Sequence, residues 1–155
     1  MKIAIGNDHA GLVLKKEIIK LLNERNIEII DCGPNENIHV YSPIIAEKVC
    51  HLINNNECDR GILICGTGVG MSIAANKING IRCAVSSEPY TAKMSRSHNN
   101  TNVLALGGRV LGTELAKMIV TIWIDEQFEG GKRNHSYNLI AEIEEKNKNN
   151  ITRND

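Results

Sequence analysis

Short apolar runs alternate with longer amphipathic segments along most of this chain. Each short run is bounded by Gly, Asn, Asp or Ser, which is the pattern of a buried β-strand. The pattern predicts five strands, at residues 3–6, 28–31, 61–65, 82–86 and 103–106.

The longer segments between these runs have helical spacing. Leu14, Ile18 and Leu22 fall on one face of the first segment, and Pro43 is a suitable start for the second. Further helices are predicted at residues 71–79, 89–98, 112–128 and 134–146.

Regular alternation of strands and helices predicts an α/β fold, a three-layer αβα arrangement with a five-stranded parallel, Rossmann-like sheet. We expect one domain over residues 1–146, followed by a polar, Asn-rich tail at 147–155 that is disordered. Ligands of such sheets bind beyond the carboxyl ends of the strands. The residues that directly follow each strand are therefore the first candidates for a site.

Composition narrows the possible partners. The chain has 155 residues, and 18 Lys and Arg balance 18 Asp and Glu, so nothing in the overall charge favours nucleic acid. No apolar run is long enough for a membrane span or a secretory signal, so no membrane partner is expected. The five cysteines form no CxxC pair, which argues against a zinc site or disulfides and favours reduced thiols in a cytoplasmic protein.

The strongest local signal is Cys65 followed by three alternating glycines, at residues 65–70. Glycines let the backbone approach a ligand and turn its N–H groups inward, and a helix start favours negative charge. A thiol in that field ionises more readily, and a thiolate beside an anion hole can move a proton from carbon. The alternative is a buried thiol beside a tight turn, but the adjoining glycines favour chemistry.

Three known loop types do not fit this segment. Met71 stands where a dinucleotide-binding loop has its third glycine, and also where a cysteine phosphatase has its arginine. A phosphate-binding loop of the NTPase type needs a lysine that is missing before Lys77.

Other candidates follow from their positions in the predicted elements. Arg109 emerges from a glycine pair after the fifth strand and suits a phosphate or a carboxylate. Asp8 and His9 follow the first strand, although Asp8 is also a suitable helix cap. His98 and Asn99 end a helix that we expect to face the same rim, although His98 equally suits a helix C-terminus.

Together these residues resemble the ribose-5-phosphate isomerase B family, which also includes galactose-6-phosphate isomerase subunits and allose-6-phosphate isomerase. The resemblance extends from Lys2 to about Glu145. It is carried by residues 6–11, 61–70, 73–77, 87–90, 97–99, 101–105, 107–109 and 129–131.

The resemblance implies an aldose–ketose isomerisation of a small sugar phosphate, with ribose 5-phosphate to ribulose 5-phosphate as the first expectation and an enediolate intermediate. Cys65 matches the base, His98 the group that opens the furanose ring, and Thr67 is assigned the transfer of protons between the two oxygens. The expected substrate-binding residues are Asp8, His9, Gly66, Gly68, Val69, Gly70, Asn99, Arg109, Lys132, Arg133 and Ser136.

The resemblance also implies a homodimer, or a tetramer of paired dimers, with the site between subunits and with no metal or cofactor. Val69 stands where another branch of the family has a catalytic Glu, so the chain resembles the cysteine branch. Two alternatives stay open: an isomerase of allose or galactose 6-phosphate, and a non-catalytic phosphosugar-binding module.

The chain departs from the family pattern in two segments. Lys132 and Ser136 stand where the family commonly has arginines, although Lys132 and Arg133 are equally a solvated surface pair. The usual Asp-Tyr-Pro is Tyr41-Ser42-Pro43 here. Both departures concern substrate affinity, so Arg109 is expected to hold more of the phosphate.

Overall fold

The computed structural model describes residues 1–151 of the chain. Five parallel strands form one sheet in the order β2-β1-β3-β5-β4. They are β1 Lys2–Asn7, β2 Glu28–Asp31, β3 Arg60–Cys65, β4 Cys83–Val85 and β5 Val103–Gly107. The predicted fold class is confirmed, and each strand lies within a few residues of its predicted position.

Helices cover both faces of this sheet. They are α1 Leu12–Glu24, α2 Ser42–Asn54, α3 Val69–Ala75, α4 Pro89–Ser97, α5 Thr113–Asp125 and α6 Lys132–Ile151. One apolar core packs α1 and α5 against Ile62 and Ile64 of the central strand. The other packs α2 and α3 against Leu63 from the opposite face, as the alternation of side chains along a strand requires.

Two helices end earlier than the hydrophobic pattern predicts, because side-chain hydrogen bonds intervene. The Asn76 side chain bonds both the N–H and the carbonyl of Cys83, at 2.8 and 2.9 Å, directly after α3. The Arg60 guanidinium donates to the carbonyls of Trp123 and Ile124, at 3.0 and 2.8 Å, in the last turn of α5. Arg60 thereby ties the end of α5 to the start of β3.

The last helix is longer than predicted. It continues to Ile151 rather than ending near Lys146, so the expected disordered tail begins inside α6, and residues 152–155 lie outside the described part. Ion pairs one turn apart, Lys146 with Glu142 and Lys148 with Glu145, support the extra turn. None of the helices within residues 1–151 is long and apolar enough to cross a bilayer.

Parallel pairing gives the sheet two functionally different edges. We call the edge where the strands end the carboxyl rim, and the edge where they begin the amino rim. In the register of β3 and β5, Cys65 pairs with Gly107 at the carboxyl rim, and Gly61 pairs with Val103 near the amino rim. Each connecting helix starts at the carboxyl rim and returns to the amino rim.

Candidate active site

The loop between β3 and α3 fixes the Cys65 thiol in one place. Gly68 adopts a left-handed conformation, with φ of 82°, and its N–H donates to Cys65 Sγ at 3.1 Å. Cys65 is only 5% exposed. This backbone N–H fixes the direction of the sulfur relative to the loop.

The three glycines of this loop are not equivalent. A Cβ on Gly68 would lie 3.1 Å from the Leu106 carbonyl carbon, in addition to the strained φ. A Cβ on Gly66 would meet the Arg109 side chain at 3.7 Å, and one on Gly70 only Ser42 Oγ at 3.7 Å. Of the three glycines, the fold therefore requires only Gly68.

Backbone hydrogen bonds join three strand ends around Cys65. The Gly108 N–H donates to the Cys65 carbonyl at 2.7 Å, and the Arg109 N–H to the Gly66 carbonyl at 3.0 Å. On the other side, the Asp8 N–H donates to the Ile64 carbonyl at 3.1 Å. The predicted site residues at the ends of β1, β3 and β5 thus lie together on the carboxyl rim.

Asp8 organises the turn after β1 rather than capping α1. Its carboxylate accepts from the Ala10 N–H at 2.9 Å, while the N-cap residue of α1 is Gly11, which has no side-chain cap. A Cβ on Gly108 would lie 2.5 Å from the Ala10 carbonyl oxygen, so this turn is in direct contact with the loop after β5.

Sequence reasoning missed His39, which belongs to the same rim. Its ring stacks on His9 with centroids 5.6 Å apart and planes 22° apart, and it meets the edge of Tyr41 at 5.2 Å. His39 lies between the end of β2 and the start of α2, so its position at the carboxyl end of a strand was the signal available.

The other four cysteines have surroundings that keep them protonated. Burial raises the pKa of Cys32 to about 11 and that of Cys50 to about 12, and it also raises the pKa of Cys58 and of Cys83. Desolvation disfavours the charged form of a thiol. These four side chains are therefore poor nucleophiles and poor bases near neutral pH.

A second group of predicted residues lies on the amino rim. His98 follows α4, and its Nε2 lies 3.0 Å from Arg133 Nη2 and 3.5 Å from Glu129 Oε1. Arg133 Nε also lies 3.5 Å from Glu129 Oε2. Asn99 directly follows His98 in the chain. Sequence reasoning gave Glu129 no role, although it belongs to a segment that carries the family resemblance.

Lys132 and Ser136 lie on the first turns of α6 and are exposed. Of the basic residues in this segment, Arg133 is the one that contacts His98. We call His98, Asn99, Glu129 and Arg133 the amino-rim cluster.

The expectation that His98 faces the same rim as Cys65 was wrong. α4 starts after β4 and returns to the beginning of β5, so its last turn lies at the amino rim. Cys65 pairs with Gly107, four residues beyond the Val103 that begins β5, which corresponds to about 13 Å along the sheet. A single chain therefore does not bring Cys65 and His98 together.

The carboxyl rim also carries exposed apolar side chains. Val69 and Ile73 project from α3, Tyr90 from α4, and Val110 from the turn after β5, and each is roughly half exposed or more. Several exposed apolar side chains on one side of a protein are typical of a surface that another molecule covers.

These features define a three-layer α/β protein whose carboxyl rim brings together a fixed thiol, backbone N–H groups and an arginine, which makes this rim the candidate site for a small ligand. The family model described as Ribose/Galactose Isomerase matches residues 3–140, and the chain belongs to that family.

Similarity to individual members covers nearly the whole chain. The chain is 52% identical over 145 residues to ribose-5-phosphate isomerase B of Escherichia coli, covering 94% of this chain and 97% of that protein. It is 44% identical over 133 residues to D-erythrulose-4-phosphate isomerase of Pectobacterium atrosepticum, covering 84% and 87%. The structure of Clostridium thermocellum ribose-5-phosphate isomerase B superposes with a TM-score of 0.92 at 51% identity, covering 94% of this chain and 99% of that one.

The loop geometry predicts different responses at two neighbouring glycines. Gly68→Ala should lower the free energy of unfolding by about 1–3 kcal/mol, because a side chain at this φ is strained and also meets the Leu106 backbone. Gly70→Ala is the matched control and should not lower it, because this residue is helical and its Cβ would meet only Ser42 Oγ at 3.7 Å. Urea unfolding at one protein concentration measures both, and equal losses would contradict this description of the loop.

Proposed function

We propose that this protein interconverts ribose 5-phosphate and ribulose 5-phosphate through an enediolate, with Cys65 as the base. The observation that carries the proposal is the Cys65 thiol, held by the Gly68 N–H at 3.1 Å on a rim that also holds Arg109 and His9. The relatives from Escherichia coli and Clostridium thermocellum are ribose-5-phosphate isomerases, which supports this substrate.

The reaction moves one proton between neighbouring carbons. The Cys65 thiolate removes the proton from C2 of the open-chain aldose, and the electron pair of that C–H bond moves through C1 to its carbonyl oxygen. Within residues 66–70, the Gly68 N–H is bonded to Cys65 Sγ and the Val69 N–H to Thr67 Oγ1, so the N–H groups of Gly66, Thr67 and Gly70 hold the resulting enediolate charge. The Thr67 hydroxyl carries a proton from O2 to O1, and the Cys65 thiol returns its proton to C1, which leaves a ketone at C2.

The phosphate anchors the sugar but takes no part in the chemistry. Arg109 stands beside Gly66, and its guanidinium suits two phosphate oxygens at once. Asp8 binds sugar hydroxyls from the turn after β1. Binding energy gained at the remote phosphate orients the reacting carbons.

The amino-rim cluster completes the site from a second copy of the chain. His98 assists ring opening, and Asn99 and Arg133 approach the sugar and its phosphate. The separation of the two rims within one chain supports a homodimer in which the carboxyl rim of each subunit meets the amino-rim cluster of the other. The exposed apolar side chains at the carboxyl rim support the same association.

The assembly and location are further parts of the proposal. Exposed Val13 on α1 and Leu115 and Met118 on α5 give dimers a second apolar surface through which they can pair into tetramers. All five cysteines are free, which suits a cytoplasmic location.

Two alternative functions, isomerisation of a different sugar phosphate and binding without catalysis, can be distinguished from the proposed one by assay. Allose and galactose 6-phosphate, and the tetrose phosphate of the Pectobacterium atrosepticum relative, differ from ribose 5-phosphate in length and should give lower kcat/KM. A non-catalytic phosphosugar-binding module would not wash solvent deuterium into C1 or C2 of the sugar.

Cys65→Ala should abolish isomerisation and deuterium exchange in D₂O while the variant still binds ribose 5-phosphate, because only the base is removed. Cys50→Ala is the control, since burial raises the pKa of that thiol to about 12 and keeps it protonated. Turnover by the Cys65→Ala variant at the rate of the control would remove Cys65 from the mechanism.

Mixing two inactive variants tests whether the site is shared. Cys65→Ala and His98→Asn subunits, unfolded together and refolded, should recover about a quarter of wild-type activity, because half of the dimers are mixed and each mixed dimer has one intact site. Refolding either variant alone is the control. No recovery in a mixture shown to contain mixed dimers would mean that both residues serve one chain.

Arg109→Ala should raise KM for ribose 5-phosphate by about tenfold or more with a smaller change in kcat, because charge-assisted bonds to phosphate contribute about 1.5–3 kcal/mol each. Ser136→Arg should lower KM if no other basic side chain takes the place of the arginine that the family commonly has there. It should have no effect if Arg133 already contacts the phosphate from that position. Steady-state kinetics decides both, and an unchanged KM in Arg109→Ala would place the phosphate elsewhere.

A further inference from the structure

The amino group of Lys15 is buried beneath the carboxyl rim. The residue is 0% exposed, and its Nζ donates to Asp31 Oδ1 at 2.8 Å and Oδ2 at 3.0 Å. It also donates to the Pro34 carbonyl at 3.1 Å and to Asn35 Oδ1 at 2.9 Å. A lysine has three donors, so the ammonium is fully satisfied by a segment that lies sixteen to twenty residues further along the chain.

These bonds fix the start of the connection between β2 and α2. Asp31 Oδ1 also accepts from the Gly33 N–H at 3.2 Å, so the carboxylate holds both the lysine and the turn that follows the strand. Lys15 itself lies in the first turn of α1, where its N–H bonds the Gly11 carbonyl at 2.9 Å. Lys15 thus links the turn that carries Asp8 and His9 to residues 31–35.

The same connection carries His39, which stacks on His9. Within residues 1–151, the His9 ring has no hydrogen-bond partner, and its Nδ1 is buried without one. The ring is instead held by its stack on His39, whose other contact is the edge of Tyr41. A side chain with no hydrogen bond to fix it depends on packing for its direction, so the position of His39 decides where the His9 ring points.

We propose that Lys15 is a positioning residue for substrate binding: its buried ammonium holds residues 31–35 so that His39 stacks on His9 and orients that ring toward the bound sugar phosphate. This inference rests on the proposed function, in which His9 binds the substrate. It adds two residues to that site, His39 as the stacking partner and Lys15 as the group that fixes the connection carrying it.

Two substitutions at His39 separate stacking from ring chemistry. His39→Phe keeps a flat ring against His9 and should retain KM within about twofold, whereas His39→Ala should raise it by about three- to tenfold with little change in kcat. If both variants raise KM equally, the His39 nitrogens matter and the stacking proposal is overturned.

Lys15→Met should give the same rise in KM as His39→Ala, and the double variant should be no worse than Lys15→Met alone, because both changes remove one stack. Ile119→Ala, in the core beneath α5, is the control for lost stability and should leave KM unchanged at a temperature where every variant is folded. Additive effects in the double variant would overturn the proposal.

Histidine NMR provides a readout that does not depend on turnover. The Cε1–H signals of His9 and His39 should move in Lys15→Met toward those of the exposed His51 and His135. Asn35→Ala, which removes one acceptor at the surface, should move them in the same direction if Lys15→Met does not fold. Unchanged signals in a folded variant would overturn the proposal. So would an unchanged KM in a variant whose histidine signals show that His39 no longer stacks on His9. A wild-type protein that fails to isomerise ribose 5-phosphate counts against the proposed function instead, and the histidine signals still decide the role of Lys15.

Discussion

The arrangement of this molecule depends on the pairing of β3 with a parallel neighbour on each side. That pairing brings the ends of β1, β3 and β5 to one edge, where amide hydrogen bonds from Asp8, Gly108 and Arg109 join the three loops. Because all three contacts use backbone groups, the position of the thiol is set by the sheet rather than by the side chains around it. These three N–H groups are used within the fold, and they hold the loop at residues 66–70 in place beside the thiol.

The sequence was most informative where the candidate residues lie close together in the chain. Strand, thiol, glycines and helix follow one another within residues 61–75, so their relation could be predicted without knowledge of the tertiary structure. The location of Arg109 and Asp8 at the carboxyl rim could be predicted for a related reason, since each comes shortly after a strand and parallel strands end together.

The misplaced and missed residues are those whose positions depend on distant contacts. His98 follows a helix rather than a strand, and only the return path of α4 puts it on the amino rim. His39 lies in a polar stretch without periodicity, and it stacks on His9, which is thirty residues earlier in the chain. The end of α5 is likewise set by Arg60, some sixty residues earlier in the chain, rather than by the apolar pattern of the helix.

Arg60 and Cys65 are the first and last residues of one six-residue strand. Arg60 holds the end of α5, from which the chain leads to Glu129, and Cys65 stands at the other rim. The strand therefore sets a distance of about 17 Å between two surfaces of the chain, the carboxyl rim and the amino-rim cluster. A slip of one residue would shift both surfaces together and turn every side chain of the strand to the opposite face. The distance between the two rims is thus set by the backbone geometry of β3. Changes in the loops at either end of the strand leave that distance unchanged.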